Sequence, residues 1–456
     1  MMRLVCLILG FCIAGSQSYS QEMLTLEQSR EMALKYNHLI KMAQEGVQES
    51  QSIKKAAFTN FLPKLEGSAE YNHMFDVDDI NFPGFFLPTA EDEIQGRLGN
   101  YNGTSNVYFP GMNVKLGDIK YHTLSLSVMQ PLYMGGKIRS GYRMARLGEA
   151  ISNDNTILQK SEVLLETDQA YWNLVSVKEK VLLAAQYKEM LKALVEDLEN
   201  AFQLELTTRN EVLKAKVQLN QAELSLLKAE NGNQLAMMAL CQVIGKDLNE
   251  QVKVADSVVV VENNYQLGNH LHKALAQRPE LMMLEKQVRL NGEDEKMTNA
   301  DFMPQLAVGA GYNYTGEIND MVDDQGLLAV QASLRIPVFH WKERKHQVAA
   351  AKARRRKSEL QLERSRDLIS LEVKQSYYKL QEAHKQIEMA QIAMNQAQEN
   401  VRLTQDSFYE GLATTTELLD AQAFWQQAYS ELIDAKINFK TSETSFLKSI
   451  GELGNG

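Results

Sequence analysis

Gln169-Ala170-Tyr171-Trp172 and Glu211-Val212-Leu213-Lys214-Ala215 return 206 positions later as Gln375-Ser376-Tyr377-Tyr378 and Glu417-Leu418-Leu419-Asp420-Ala421. Pro131 and Pro337, and Gly245 and Gly451, keep the same offset, so neither copy carries an insertion between these landmarks. Long helices with their registers tied together would impose that constraint. The N-terminal parts match at a second offset. Ala33-Leu34 pairs with Ala274-Leu275, Phe61-Leu62-Pro63 with Phe302-Met303-Pro304, and Tyr71-Asn72 with Tyr312-Asn313, each 241 apart. The two offsets differ by 35 residues, which places an insertion in the first copy within Asp76 to Lys120. That stretch is rich in Gly, Asn, Asp and Pro and reads as a long loop. The chain is therefore an internal duplication, with copies at 21–245 and 266–451, a linker at 246–265 and a flexible tail at 452–456.

Within each copy, two segments alternate with period two. Leu65, Gly67, Ala69, Tyr71, His73 and Phe75 face opposite to Lys64, Glu66, Ser68, Glu70 and Asn72, and His122, Leu124, Leu126 and Val128 alternate with Thr123, Ser125 and Ser127. Leu306 to Tyr314 and Leu328 to Ile336 repeat the pattern. Strands are expected at about 63–75, 121–132, 304–316 and 327–339, each close to the length of a tilted transmembrane strand. Two hairpins of a soluble sheet would show the same alternation. Between and after the hairpins lie helical patterns of unusual length, about 135–203 and 341–410. In the first, Ile151, Leu158, Leu165 and Trp172 recur at heptad spacing beside a second stripe of Ile157, Leu164 and Tyr171. At 1.5 Å per residue each would reach roughly 90 to 100 Å. Two adjacent stripes point to a neighbour on each side, as in a bundle or tube.

The length of 456 residues allows about three domains. The net charge of -10 argues against nucleic acid as a partner. Arg3 followed by Leu4 to Ala14, with Ser18-Tyr19-Ser20 ahead of Gln21, reads as a secretory signal at 1–20. A lipoprotein signal competes, because Cys12 follows Leu9, although Phe11 is bulkier than such signals use. Removal of the signal takes Cys6 and Cys12 with it and leaves Cys241 as a single buried thiol, so no intramolecular disulfide is expected. No later apolar run approaches the roughly 18 residues of a membrane helix. Any crossing must be made by β-strands. Four strands cannot close a barrel, since about eight is the practical minimum. The chain must oligomerise if those strands sit in lipid.

The order helix, Pro-led strand, strand ending in Gln130-Pro131-Leu132-Tyr133 or Ile336-Pro337-Val338-Phe339, long helix, turn, and Glu-Leu-Leu-Asp-Ala-Gln at 417–422 occurs twice. Together with Ala274-Leu275-Ala276-Gln277-Arg278-Pro279-Glu280-Leu281, it resembles the TolC-type outer membrane efflux proteins over nearly the whole mature chain. The resemblance implies a mainly α fold with transmembrane β. Duplicated long-helix coiled-coil hairpins would form a periplasmic α-barrel. Four strands per chain would contribute to a 12-stranded trimeric outer-membrane β-barrel. It also implies a passive conduit for small molecules or proteins, partnered by a periplasmic adaptor, an inner-membrane pump and outer-membrane lipid, without enzymatic activity or cofactor. An exported coiled-coil scaffold or adhesion protein without a pore is the alternative.

The resemblance places the family's acidic periplasmic constriction at Glu417 and Asp420. Three positions apart on a helix, both carboxylates share a face. Glu417 also completes a capping box with Thr414, a complete explanation of its own, whereas Asp420 has no capping duty. Gly411 fits a left-handed helix end before Thr414. Thr208-Arg209-Asn210-Glu211 is the same box in the first copy, but Glu205 stands where the second copy has Gly411, so the first turn should differ. Thr208, Glu211, Gly411 and Thr414 are the candidate adaptor contacts. The family's closing Arg and Tyr are replaced by Ala413 and Phe408, so closing contacts should differ too. Met134-Gly135-Gly136-Lys137 lacks the Walker spacing and reads as a strand-to-helix turn. His270-Leu271-His272 reads as polar surface rather than a metal site. Basic residues follow each second strand. Lys137, Arg139, Lys345 and Lys352 are candidate contacts to anionic headgroups of the inner leaflet, with a solvated helix face as the alternative. Replacing these four by Gln is expected to reduce insertion into anionic vesicles, and unchanged insertion would remove the assignment.

Overall fold

The computed structural model describes residues 23–88, 106–255, 267–316 and 324–453. The signal at 1–20 lies outside them, as do 89–105 of the insertion, 256–265 of the linker and the last residues of the tail. In chain order the elements are β1 (Met23–Leu24), α1 (Leu26–Tyr36), α2 (His38–Thr59), β2 (Lys64–Val77), β3 (Ile80–Phe82), β4 (Phe85–Pro88), β5 (Asn106–Phe109), β6 (Met112–Val114), β7 (Gly117–Met134), α3 (Lys137–Gln203), α4 (Arg209–Ile244), β8 (Lys253–Val254), α5 (Leu267–Gln277), α6 (Pro279–Ala300), β9 (Gln305–Gly316), β10 (Gln325–Arg335), α7 (Glu343–Tyr409) and α8 (Thr415–Ser449). The helices of the two copies agree in length: 11 residues in α1 and α5, 22 in α2 and α6, 67 in α3 and α7, and 36 against 35 in α4 and α8. The chain forms two compact units. One holds the described residues up to Lys54, 143–293 and from Lys352 onward; the other holds 55–142 and 294–351.

The helical unit contains two cores built from equivalent positions. Ala33, Ile40, Val163, Leu174, Leu240 and Ile244 are buried in one, and Ala274, Leu281, Ile369, Leu380, Phe446 and Ile450 in the other. The polar joints are equivalent as well. Asn37 Nδ2 donates to the carbonyl of Val243 at 2.8 Å, and its counterpart Arg278 donates to that of Ser449 at 3.4 Å. Arg278 also holds Glu280 and Glu372, each at 2.5 Å. Burial opposes the Arg278 charge, but its bonds to the two carboxylates outweigh that and raise its pKa. Burial likewise pushes Glu280 up, and Arg278 more than reverses it, holding this carboxyl below the ordinary 4.5. A second cluster, around buried Asp168, ties the copies together. Asp168 on α3 accepts from Arg30 Nε at 2.7 Å and from the hydroxyl of Thr444 on α8 at 2.7 Å. Cys241 is buried, which pushes its thiol up.

The other unit is built on a four-stranded antiparallel sheet in the order β10-β9-β7-β2. Its register aligns the four alternations. Leu65 pairs with Val128, Val128 with Ala310 and Ala310 with Val330, and the row of Gly67, Leu126, Tyr312 and Leu328 runs beside it. One face is thereby apolar. The other carries Glu66, Ser127, Gly311 and Ala329, then Glu70, Thr123, Thr315 and Gln325. β2 and β10 each have one unpaired side, because the sheet ends there.

Two sequence expectations are corrected here. The insertion is not simply a loop: β3 pairs with β6 and β4 with β5, extending the β2–β7 hairpin as a ribbon. Cross-strand aromatic contacts hold it, with Phe85 stacked on Phe109 at 5.5 Å and Phe86 against Tyr108 at 4.8 Å. Composition hid this, because Pro83-Gly84 and Pro110-Gly111 interrupt both strands at one level. The last strand also stops at Arg335, short of the expected 339, since its partner β9 begins at Gln305 and Pro337 has no N–H to donate.

Arg278→Ala is expected to lower unfolding stability by about 2 kcal/mol, because it removes a buried guanidinium that bonds Glu280, Glu372 and the Ser449 carbonyl. Since the folded pKa of Glu280 is depressed, the bond's contribution is present above the ordinary 4.5 and is lost as pH falls through the folded value. Denaturation followed by far-ultraviolet circular dichroism should show the deficit shrinking in acid.

Candidate functional site

The helical turns at 204–208 and 410–414 carry most of the candidate residues. Both are Schellman ends with the same bonds. Leu206 N donates to Ala201 O at 2.9 Å and Glu205 N to Phe202 O at 3.0 Å, while Leu412 N donates to Ser407 O at 2.8 Å and Gly411 N to Phe408 O at 3.0 Å. The first turn therefore does not differ in backbone. Glu205 takes φ 60, close to the φ 76 of Gly411. A left-handed conformation costs a non-glycine residue about 1 kcal/mol, and the shared bonds impose it.

Beyond each turn the side chains diverge. At Thr414 the capping box is complete. The Glu417 carboxylate accepts the Thr414 N–H at 2.7 Å and its hydroxyl at 2.9 Å, and the Glu417 N–H donates back to Oγ1 at 3.2 Å. The Thr414 N–H, then its hydroxyl, hold Glu417 below the ordinary carboxylate value. The box expected at Thr208 is not formed: Thr208 stands at the N-cap without a side-chain bond. Glu211 turns instead to Lys214 at 2.9 Å, and Lys214 reaches Thr416 Oγ1 at 3.4 Å. Lys214 occupies the position equivalent to Asp420. One copy thus presents a neutral Glu–Lys pair and the other presents two carboxylates. Asp420 is exposed, and no hydrogen bond or ion pair engages it among the described residues.

A core of Leu191, Leu194, Val195, Leu198, Val212 and Ala215 underlies the turns and takes in Leu418 and Leu419, so both copies share it. Above it, the Tyr409 hydroxyl donates to Asp197 Oδ2 at 2.9 Å, linking the end of α7 to α3. Burial and then Asp197 raise the Tyr409 pKa. Phe408 packs against the shared core, and the polar link is made by its neighbour Tyr409. Sequence reading also missed Leu204, Leu206 and Leu412, which are exposed at the turns. Their signal was leucine where turns ordinarily carry polar residues.

The basic residues behave in different ways. Lys137 is paired with Asp301 at 2.7 Å, whereas Arg139, Lys345 and, in the helical unit, Lys352 are exposed. The Gly135-Gly136 turn lies between β7 and α3 at φ 63 and 92, and its counterpart is Trp341-Lys342 at φ 45 and 66. Trp341 is 86% exposed, with its ring 4.9 Å from that of exposed Phe339. Such aromatic residues beside lysines are typical of a membrane interface. The polar-surface reading of His270 is corrected, since its ring packs edge-on against buried Phe446 at 5.5 Å. Among the described residues no group of His, Cys, Asp or Glu is arranged to hold a metal.

Comparison with known proteins accords with this architecture. Residues 30–246 and 270–452 match the family model described as outer membrane efflux protein. The alkaline protease secretion protein AprF of Pseudomonas aeruginosa is 23% identical over 337 residues, covering 71% of this chain and 68% of that protein. Protein CyaE of Bordetella pertussis is 22% identical over 342 residues, covering 74% and 72%. In fold, the chain is similar to the Campylobacter jejuni CmeC outer membrane channel, with a TM-score of 0.75 at 18% identity over 94% of this chain and 85% of that one.

Thr414→Ala is expected to destabilise the protein by about 1 kcal/mol, and Thr208→Ala by only a few tenths. Chemical denaturation in detergent checks the difference. It should shrink in part as pH falls through the depressed Glu417 value, because the protonated carboxyl accepts less strongly from Thr414 while the Glu417 N–H still bonds Thr414 Oγ1.

Proposed function

The chain belongs to the outer membrane efflux protein family, and from that premise we propose that three copies close into a 12-stranded barrel above a periplasmic tunnel of helices. The duct serves a tripartite efflux or secretion system and moves small molecules or proteins passively. The observation that carries this reading is the amphipathic four-stranded sheet with an unpaired strand at each side. Its apolar face suits lipid and its polar face suits a watery lumen. Two copies would supply about eight strands, a barrel whose interior side chains fill it; three leave a passage.

At the turns, Glu417 and Asp420 act as an electrostatic gate in this reading. Asp420 is the stronger element, because the Glu417 carboxylate is engaged by its own cap. The Tyr409–Asp197 bond is the closing contact, in place of the family's Arg and Tyr positions. Exposed Leu206 and Leu412, beside Thr208, Glu211, Gly411 and Thr414, offer the adaptor an apolar footing. Arg139, Lys345 and Lys352 meet the inner leaflet in this reading, as does the Phe339–Trp341 pair; Lys137 contributes less, being matched by Asp301. The curated relative AprF is a protease secretion protein, which favours polypeptide among the cargoes.

Single-channel recording tests the reading. Wild-type protein in a planar bilayer should conduct weakly, Tyr409→Phe more strongly, and Asp420→Asn should lower cation preference more than Glu417→Gln. Absence of conductance in Tyr409→Phe, from protein that is folded and inserted, would overturn the conduit and leave the pore-free scaffold.

A further inference from the structure

The ribbon that extends the β2–β7 hairpin keeps one register throughout. Val77 pairs with Gly117, Ile80 with Val114, Phe82 with Met112, Phe85 with Phe109 and Phe86 with Tyr108. Alternate residues therefore fall on opposite faces. Phe82, Phe86, Tyr108 and Met112 share one face, where the Tyr108 ring lies across Gly84 in the space a Cβ would fill. Phe85 and Phe109 share the other with Asn81 and Asn113. The six apolar side chains are exposed by 44–64%. No charged residue occurs in 80–88 or 106–114, whereas Asp78, Asp79 and Lys115 flank these segments. β9 last pairs with β7 at His122, and among the described residues no further strand lies beside the ribbon. Below it, β2 alone has 14 residues, more than the roughly ten of a membrane strand, so in the duct the ribbon stands outside the hydrocarbon. The hairpin can bend at the ribbon's base. A bulge shifts the register between Met74 and Val77, and Asp76 and Gly117 take φ 53 and 54 on the two strands.

We propose that this ribbon packs on the ribbon of the next copy, the Phe86–Tyr108 face of one against the Phe85–Phe109 face of its neighbour, so that three ribbons form an uncharged aromatic collar over the outer mouth. The inference rests on the exit-duct reading and adds a contact outside the barrel. The two apolar faces select the occupant. Identical copies in a ring are joined head to tail, so each must present two different patches, one to each neighbour. A ribbon lying on a lipid surface, or paired about a two-fold axis, needs one apolar face and leaves the other polar. Packing these faces also desolvates no charge. Each contact buries roughly 600 Å² of the six side chains, counting both partners. That is too little to hold an oligomer by itself and suits one already joined through the barrel. The reach is sufficient. Residues 80–88 span roughly 30 Å at about 3.3 Å each, whereas twelve strands spaced about 4.8 Å and tilted by about 40° enclose a radius of roughly 12 Å. The ribbon also rises from β2, the strand at the edge of the sheet and hence beside the next copy.

Paired cysteines in the full chain test the contact. Met112→Cys or Tyr108→Cys on the first face is combined with Asn81→Cys or Asn113→Cys on the second, giving four double variants. Within one chain these faces point apart, so no internal disulfide closes. Buried Cys241 supplies no competing thiol at the surface. Mild oxidation in the outer membrane should give covalent dimers and trimers of at least one double variant on a non-reducing gel. The four single variants, with a cysteine on one face alone, should run as monomers. Phe86→Trp in vesicles of brominated phosphatidylcholine should keep the fluorescence it adds to that of wild type. Absence of cross-linking in all four double variants, while wild type extracts as a trimer, would overturn the collar and leave the duct intact. Cross-linking of a single variant, which means that like faces meet, would do the same, as would loss of the added fluorescence, which places the ribbon on lipid. Extraction of wild type as a monomer would overturn the duct itself.

Discussion

Within hydrocarbon, an N–H or C=O that lacks a partner costs several kcal/mol, and the outer sides of β2 and β10 present whole rows of them. No rearrangement of one chain removes this, because four strands are too few to close on themselves. The apolar face formed by Leu65, Val128, Ala310 and Val330 nevertheless asks for an apolar environment. In the proposed duct, the demand for lipid and the two open edges together call for an oligomer. Much of the rest of the molecule supports that closure.

The duplication is what makes closure economical. A chain built from two copies of one unit contains, between its halves, an example of the contact the proposed duct needs between neighbours. Equal helix lengths keep the halves superposable, and equivalent cores around Leu240 and Phe446 give them similar internal packing. Even the Asn37 and Arg278 joints select equivalent carbonyls. In the proposed duct, function enters where the copies part. Lys214 against Asp420 confines an acidic pair to one copy. Gly135-Gly136 against Trp341-Lys342 exposes an aromatic ring in one copy alone. Among the described residues, the aromatic ribbon of β3 to β6 occurs in the first copy only.

Much of this was legible in the sequence, for reasons that differ by element. The helices declared themselves because heptad stripes and a constant offset need no tertiary information. The strands did so because period-two alternation reports a two-faced sheet. The Thr414–Glu417 box was legible because its bonds are local. The equivalent box at Thr208 failed because Lys214, one turn on, competes for Glu211, and propensity carries no such rivalry. The left-handed Glu205 was invisible because the surrounding bonds, not the residue, select that conformation. The end of β10 was overestimated because the alternation runs to Ile336 and apolar residues continue to Phe339, while pairing within the chain ends at Arg335.

Amide hydrogen exchange of the protein in lipid nanodiscs tests closure most directly. The account predicts that the amides of β2 and β10 are protected as strongly as those of the central strands β7 and β9, with protection continuing past Arg335. Rapid exchange along β2 and β10 beside protected central strands would contradict it, because the edges would then be open.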